Sequence, residues 1–484
     1  MGAYDQEGGV VGRAVFAVLA SLVMLASPVT VSGAEDSGAQ TGSSASIEGG
    51  LVDELTASGS GRFIVEFAGR ADLSAAADVN GFVQRGQYVL DTLQATQRSS
   101  QTEALALVAA TRGAQAESFW LTNVMLVAGD SALANRLSGV AGVTRIRREK
   151  VYPLVRPVAT RPVILGTPGE PEPGISTIRA DEAWADGILG SGVTVANIDT
   201  GVEYTHPALV DQYRGNEGAA GFDHDYDWWD PTGICGDTPC DNAGHGSHTM
   251  GTMVGGDGPG PFSPDIGVAP EATWIAAKGC EDFGCSEGAL ISSGQFVLAP
   301  TDLAGEDPDP AMRPDIVNNS WGGGPGDEFY LEVVQAWRAA GIVPVFSAGN
   351  AGPECGTVGS PGDYTESFSV GATTFDDVIA DFSSRGPTLS GDIAPDVSAP
   401  GVNVLSSVPG DGYEAFDGTS MAAPHTAGAL ALVLSARPAL AGQIDALTGS
   451  LRDTAVDILD EQCGGDADGD PNNVYGDGRI DAFA

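Results

Sequence analysis

Residues 418–425 read GTSMAAPH and lead directly into an apolar stretch at 427–434. This junction decides how the rest of the chain is interpreted, because it has the features of a turn that exposes a nucleophilic hydroxyl. Ser420 begins a predicted helix, where its N–H lies at the positive end of the helix dipole, and Gly418 leaves room for a substrate backbone. Pro424 is expected in the first helical turn, where it need not donate an N–H. An ordinary Ser/Thr helix cap is the alternative interpretation.

A serine hydroxyl needs a neighbouring base, and histidine is the commonest base near neutral pH. The chain has only five histidines. His245 lies in the run NAGHGSHTMGT at 242–252, whose small residues predict a closely packed helix start. Asp199 follows the buried-strand pattern 193–198. An acid at the carboxyl end of a strand is well placed for chemistry in an open α/β sheet, whereas a simple turn is the alternative for this Asp-Thr-Gly segment.

In chain order these segments give Asp199, His245 and Ser420, and their motifs resemble those of the subtilisin-like serine peptidases, the subtilase superfamily. The matching motifs are D-T-G, H-G-x-H-x-x-G-T and G-T-S-M-A-x-P. A fourth matching segment, 342–350, reads IVPVFSAGN. Within the family the likeness is to the bacillopeptidase F type, carried by IGVAP at 266–270 and PDIVNNSWGG at 314–323.

The resemblance implies a catalytic role for four residues. Ser420 attacks the peptide carbonyl, His245 takes and returns the proton, and Asp199 orients the imidazole. Asn350 donates to the oxyanion together with the N–H of Ser420. Peptidases of this family bind extended protein and peptide substrates as an added strand. The substrate-binding residues expected from the resemblance are Ser320, Trp321, Gly322 and Gly349.

The implied chemistry requires no cofactor and no metal ligand. Calcium is the usual stabiliser of this family, but Ala208 stands where many members carry a calcium-binding aspartate. Two acidic runs, 223–230 and 466–470, offer other oxygen ligands, and solvated turns are the alternative interpretation of both. The sequence therefore leaves a structural calcium ion open.

The whole chain divides into five predicted segments. They are a signal peptide at 1–34, a polar linker at 35–60, a propeptide at 61–155, a maturation linker at 156–173 and a catalytic domain at 174–484. The first has an apolar run too short to span a bilayer, followed by small residues suited to cleavage, and predicts secretion. The family resemblance implies that the third is a removable inhibitor of its own enzyme. A permanently attached N-terminal domain is the alternative.

From residue 174 onward, strand patterns alternate with helical patterns. This alternation predicts an α/β fold, in which a doubly wound, mostly parallel sheet carries helices on both faces. The strand candidates are 193–198, 273–277, 316–319 and 342–346. A smaller α+β unit is expected before it, from strand patterns at 62–67, 119–127 and 143–146 and a helical stretch at 79–116.

All six cysteines lie in the predicted catalytic domain. Local pairing in a secreted protein is the economical arrangement, although six cysteines permit fifteen connectivities. A zinc site is the rival, but the close cysteines lack the two-residue spacing of such sites. The expected pairs are Cys235 with Cys240, Cys280 with Cys285, and Cys355 with Cys463.

The chain is strongly acidic, with 22 basic against 65 acidic residues and a net charge of −43. Such a surface excludes binding to nucleic acid or to an anionic membrane. The expected partners are therefore protein and peptide substrates and the propeptide itself, and a monomer is expected. A catalytically dead binding module is disfavoured because all four catalytic positions hold competent residues. An ester-cleaving α/β hydrolase is disfavoured because its acid follows the serine in the chain.

Overall fold

The computed structural model describes residues 45–154, 156–161, 170–466 and 469–484. The predicted signal peptide lies outside these ranges, as does part of the predicted maturation linker. The described residues belong to one compact unit. Within the described ranges, no helix combines the length and the apolar character needed to cross a membrane.

An α+β unit occupies residues 45–148. Its five-stranded sheet has the order β1-β5-β2-β4-β3 and is antiparallel except between β1 and β5. The long helix α2 buries apolar residues three or four positions apart, so one of its faces packs against the sheet. Its elements are β1 (Ser46–Ile47), α1 (Leu51–Ser58), β2 (Gly61–Phe67), α2 (Phe82–Ala109), β3 (Gln115–Phe119), β4 (Val124–Gly129), α3 (Ser131–Leu137) and β5 (Val143–Arg148).

The N-terminal boundary of this unit differs from the prediction. A polar linker was expected at 35–60, but residues 51–58 form α1 because Leu51 and Leu55, one helical turn apart, are both buried. The strand pattern 119–127 is two strands, β3 and β4, joined by a turn. Asn123 has φ +48° in that turn, a conformation that asparagine tolerates better than most residues.

Two short strands connect the α+β unit to the larger domain. They are β6 (Val151–Tyr152) and β7 (Ala159–Arg161). The larger domain contains α4 (Pro173–Thr177), α5 (Ala180–Ala185), β8 (Thr194–Asp199), β9 (Trp228–Trp229), α6 (His245–Val254), β10 (Thr273–Lys278), β11 (Cys285–Ser286), α7 (Glu287–Leu298), β12 (Ile316–Asn319), α8 (Leu331–Ala340), β13 (Val343–Ser347), β14 (Phe368–Thr373), β15 (Val397–Pro400), β16 (Val404–Val408), β17 (Gly412–Asp417), α9 (Thr419–Ala436) and α10 (Ile444–Asp453).

The core of the larger domain is a seven-stranded parallel sheet of order β15-β14-β13-β12-β8-β10-β9. Alternate residues of each strand face opposite sides. Val195 packs with the apolar residues of α6, α9 and α10, whereas its neighbour Ala196 packs with those of α7 and α8. The predicted α/β class with helices on both faces is therefore confirmed, and the four predicted central strands are present within one residue of their expected limits.

The α+β unit packs on the α7 and α8 side of this sheet, where Leu126 of β4 joins the same apolar cluster as Leu290. Polar contacts cross the same junction. The guanidinium of Arg147 forms two hydrogen bonds with the buried carboxylate of Glu287, one of them 2.7 Å long. The side-chain oxygen of Gln295 accepts from the backbone N–H of Trp120 at 2.6 Å.

In the connection from Lys150 to Arg161, residues 151–154 and 159–161 pair with strands and loops of the larger domain. Strand β6 pairs antiparallel with β11, Leu154 forms an antiparallel bridge with Trp321, and β7 pairs antiparallel with β17. The predicted maturation linker at 156–173 therefore contains a strand that was not expected. The reason is that β17 would otherwise leave its outer backbone groups unpaired.

The structure contains the three disulfides Cys235–Cys240, Cys280–Cys285 and Cys355–Cys463, as the sequence predicts. The first two each join cysteines five residues apart. The third joins cysteines 108 residues apart and so ties the loop after β13 to the C-terminal segment.

Loop length predicts unequal contributions of these disulfides to stability. In the chain-entropy account, loss of the 108-residue link costs about 4–5 kcal/mol and loss of a five-residue link about 2 kcal/mol. We expect Cys355→Ser/Cys463→Ser to lower the urea midpoint more than Cys235→Ser/Cys240→Ser. Both pairs are compared in a Ser420→Ala background to prevent self-digestion. Equal losses would contradict the expectation.

Candidate active site

Asp199 and His245 meet where β8 ends and α6 begins. His245 Nδ1 donates to Asp199 Oδ1 over 2.8 Å, and the backbone N–H of Thr200 donates to the same oxygen over 2.7 Å. Both side chains are buried, with 1% and 3% of their surface exposed for Asp199 and His245. Because Nδ1 carries the proton in this pair, the neutral imidazole keeps its basic lone pair on Nε2.

The start of α6 is anchored by a carboxylate that the sequence analysis missed. Asp241 accepts from the backbone N–H groups of Gly244 and Ser247, both over 2.8 Å, and from the hydroxyl of Thr200 over 2.9 Å. Burial raises the pKa of Asp241, and the hydrogen bonds from Ser247 and Gly244 oppose that rise. An acid three residues before a glycine at a helix start is the sequence signal that could have identified it.

Lys278 is a second missed residue. It ends β10 beside Asp199 and is completely buried. Its ammonium donates to the carbonyl of Thr200 and to the side chain of Asn242, both over 2.7 Å, and lies 3.1 Å from the carboxylate of Glu281. The lysine therefore joins the loops on both sides of the Asp199–His245 pair. A lone lysine inside a strand pattern carries no sequence signal for this role.

Ser420 is the second residue of α9, and α9 packs against α6. Pro424 lies inside the helix, and the expectation that it falls in the first turn is wrong. Proline has no N–H to donate to the carbonyl four residues earlier, which is that of Ser420. That carbonyl instead accepts from the hydroxyl of Ser320 over 3.0 Å. The proline thus leaves the Ser420 carbonyl open to a contact with the neighbouring strand end.

Asn350 follows β13 and points its amide toward the same region. Its Oδ1 accepts from the backbone N–H of Thr419 over 3.0 Å and from the Thr419 hydroxyl over 2.8 Å. Because both partners are donors, the oxygen must face them and Nδ2 must face away. Nδ2 donates to the carbonyl of Arg156 over 3.3 Å. Thr419 of the serine motif therefore orients the side-chain amide of Asn350.

The expected substrate-binding residues contact the Asn350 region, Ser420 or the connecting segment. Gly322 and Gly349 line a pocket together with Asn350 and with Arg156 of the connecting segment. Gly349 has φ +104°, a conformation that favours glycine, and its N–H donates to the hydroxyl of Thr419. Trp321 pairs with Leu154, and Ser320 is in contact with Ser420 as described above. Gly322, Gly349 and Asn350 therefore lie together in one cleft, which Arg156 of the connecting segment also lines, and Ser320 joins Ser420 to the end of β12.

The two acidic runs that offered oxygen ligands for calcium form no metal-binding group among the described residues. Among the described residues, no three acidic, histidine or cysteine side chains are grouped as a metal site would need. The carboxylate of Asp230 accepts from five donors of its own loop, including the N–H groups of Gly233 and Cys235. In the C-terminal acidic run, Asp468 lies outside the described ranges.

This arrangement suits acyl transfer. It combines a histidine base oriented by a buried carboxylate, a serine at a helix start and an amide donor held by Thr419. The other histidines have different contacts. His206 Nδ1 accepts from the backbone N–H of Ala208, and His425 Nδ1 donates to the carbonyl of Met421.

Sequence comparisons identify known proteins that this chain resembles. Residues 190–478 match the sequence profile of the Subtilase family. The chain is 45% identical over 320 residues to bacillopeptidase F of Bacillus subtilis (strain 168), which covers 64% of this chain and 21% of that protein. It is 34% identical over 267 residues to subtilisin E of the same strain, covering 55% of this chain and 61% of that protein. It is 33% identical over 290 residues to subtilisin DY of Bacillus licheniformis, covering 59% of this chain and 92% of that protein.

His248, one turn after His245, predicts a pH dependence of stability. Burial, reinforced by the charge of His245, lowers the pKa of His248 to about 3, and its Nε2–H donates to the carbonyls of Val404 and Glu414. The unfolded chain takes up a proton near pH 6.5, whereas the folded chain does not. The free energy of unfolding therefore falls as pH falls below about 6.5, by up to about 1.4 kcal/mol per pH unit.

The variant His248→Gln keeps a donor and removes the titration. In a Ser420→Ala background, we expect the stability advantage of the parent over this variant to shrink as pH falls from 7 to 4.5. Urea unfolding at several pH values measures the difference. Buried carboxylates titrate equally in both proteins, so a difference that is independent of pH would contradict the assignment.

Proposed function

Because the chain belongs to the subtilase family, we propose that it is a secreted serine endopeptidase that hydrolyses peptide bonds of proteins. The hydrogen bond between His245 and Asp199, beside the helix α9 that carries Ser420 in its first turn, is the observation that carries this proposal. The chain spans only 21% of bacillopeptidase F and 61% of subtilisin E, so the activity of those proteins supports the proposal without deciding it. The expected signal peptide and three disulfides favour secretion.

In the proposed mechanism, Ser420 Oγ attacks the substrate carbonyl while His245 Nε2 accepts its proton. Asp199 holds the imidazole in the required tautomer and stabilises the imidazolium ion. His245 then protonates the leaving amine, and the amine departs from the acyl-enzyme. Water attacks the ester in the second half of the reaction, with His245 again as base. No cofactor takes part in these steps.

The oxyanion is stabilised by Asn350 Nδ2 and the backbone N–H of Ser420. Asn350 is suited to this task because Thr419 already occupies its Oδ1 with two donors, so that no rotation of the amide is needed during the reaction. A carbonyl oxygen, that of Arg156, already lies 3.3 Å from Nδ2, in the position that a substrate carbonyl is proposed to take.

The N-terminal α+β unit is proposed to be a propeptide that inhibits the enzyme until it is removed. Three contacts support this proposal: β6 pairs with β11, Leu154 pairs with Trp321, and the Arg156 carbonyl accepts from Asn350. A chain segment bound in this way excludes substrate by occupying the same backbone donors and acceptors. Removal of the segment after maturation would open the cleft.

A fluorophosphonate probe tests the proposed activity directly. We expect the enzyme purified after expression of the full chain to be labelled at Ser420 and to cleave casein. Labelling should be lost in Ser420→Ala and His245→Ala, because the first removes the nucleophile and the second its base. Ser390→Ala, a change at an exposed serine, serves as the control and should be labelled normally. An unlabelled, correctly folded wild type would favour a binding module.

Asn350→Ala should lower kcat by about 100- to 1000-fold, which is the loss that follows removal of one such donor in subtilisin itself. The measured KM should change much less, since the contact strengthens in the transition state. A loss confined to KM would indicate a role in ground-state binding instead.

Maturation gives a further test. We expect Ser420→Ala to remain at the length left by signal cleavage, whereas the wild type becomes shorter. Its new N-terminus should lie after Arg156 and before Glu172, because Glu172 is buried and accepts from the N–H of Gly174 over 2.5 Å. Mass spectrometry of both proteins locates the terminus. A wild type that keeps residues 61–155 while active would contradict the propeptide assignment.

A further inference from the structure

The connecting segment places Tyr152 in an aromatic pocket of the larger domain. Tyr152 is only 5% exposed, and its ring stacks on Phe329 with a centroid distance of 3.9 Å and an interplanar angle of 12°. Gly323 lies against one edge of the ring, where a Cβ atom would come within 3.3 Å of it. The pocket is therefore shaped for a flat side chain.

Asp327 closes the polar end of this pocket. Its Oδ2 accepts from the hydroxyl of Tyr152 over 3.2 Å and from the ammonium of Lys150 over 2.7 Å. Lys150 and Tyr152 both reach the carboxylate because residues two apart in an extended chain project to the same side. One oxygen thus contacts two side chains of the bound segment.

The loop around Asp327 fixes the backbone of this residue independently of the segment. The backbone N–H of Asp327 donates to the hydroxyl of Ser360 over 2.9 Å, and its carbonyl accepts from the hydroxyl of Tyr364. Partial burial raises the pKa of Asp327, but the hydrogen bond and charge of Lys150 outweigh it and lower the pKa overall. Burial and nearby carboxylates raise the pKa of Tyr152, so its hydroxyl remains a donor.

We propose that Asp327 is a specificity-determining residue that selects substrates in which a basic residue stands two positions before a tyrosine. This inference rests on the proposed function. The segment pairs with the backbone edges that an extended substrate would use, which are β11 on one side and Trp321 on the other. Substrate side chains at the corresponding positions would therefore meet the same pocket wall and the same carboxylate.

The contributions of the two contacts should differ. The tyrosine contact is buried and joins a neutral donor to a charged acceptor, which makes its loss costly. The lysine side chain is 50% exposed, so solvent weakens its ion pair with Asp327. Phenylalanine would keep the stacking on Phe329 and lose the hydrogen bond. The preference is therefore strongest for the tyrosine hydroxyl and weaker for the basic residue.

Peptides that carry residues 148–160 test the inference, with alanine in place of Pro157 so that no proline follows Arg156. The enzyme is purified after expression of the full chain, and mass spectrometry identifies the bond that is cut. Relative to this reference peptide, we expect Tyr152→Phe to lower kcat/KM by about tenfold. We expect Lys150→Gln to lower it by about two- to fivefold.

Two enzyme variants assign these differences to the carboxylate. In Asp327→Asn the ratios between peptides should fall below about twofold, because the charged acceptor is gone. Glu328→Gln is the matched control, since it removes the same charge from the adjacent exposed residue, and it should retain the ratios. Equal kcat/KM values for the three peptides, or ratios that persist in Asp327→Asn, would overturn the inference while leaving the proposed function intact.

A binding measurement keeps the inference testable without turnover. Failure to cleave both casein and the peptides would contradict the proposed function. In that case, hydrogen exchange of the full-chain Ser420→Ala protein still measures how strongly Asp327 holds the bound segment. We expect Asp327→Asn and Tyr152→Phe each to accelerate exchange at residues 151–154 severalfold. The double variant should exchange no faster than Asp327→Asn alone. Unchanged exchange in both single variants would contradict the inference.

Discussion

The hydrogen bond from His245 to Asp199 is the contact on which the rest of the site depends. It joins the end of β8 to the start of α6 within a fully packed interior, where an uncompensated polar group is expensive. Polar groups next to the pair are therefore hydrogen-bonded as well. Asp241 accepts from the hydroxyl of Thr200, and Lys278 donates to the carbonyl of Thr200. Both residues stabilise the site without contacting a substrate.

Hydrogen bonds also fix the part of the cleft around Ser420. Because Pro424 has no N–H, one hydrogen bond of α9 is missing, and the carbonyl of Ser420 accepts from the hydroxyl of Ser320 instead. Thr419 supplies two donors to the side-chain oxygen of Asn350, which leaves the amide nitrogen as the only group that can face the cleft. Small residues in the serine motif thus make a close approach of helix and strand ends possible.

The surface bound by the extended segment is the one to which we assign both inhibition and substrate selection. Backbone pairing with β11 and Trp321 is independent of sequence, and it therefore suits any extended chain. Side-chain pockets must supply whatever discrimination the enzyme has. The acidic chain has only two lysines, Lys150 and the buried Lys278, and Lys150 forms its hydrogen bond with Asp327.

The family, the fold class and the four catalytic candidates followed from the sequence, because local motifs around Asp199, His245, Asn350 and Ser420 carry chemistry that few other residue patterns carry. Close spacing indicated two of the disulfide pairs, and Cys355 with Cys463 was the pair that remained. Tertiary structure alone decided the roles of Lys278 and Thr419, since their partners lie on separate elements and leave no periodic signal. It also decided that residues 51–58 are helical and that Asp327 faces Tyr152 and Lys150. Tyr152 and Asp327 are 175 residues apart in the chain, so their contact depends on the tertiary fold and is not encoded in a local sequence pattern.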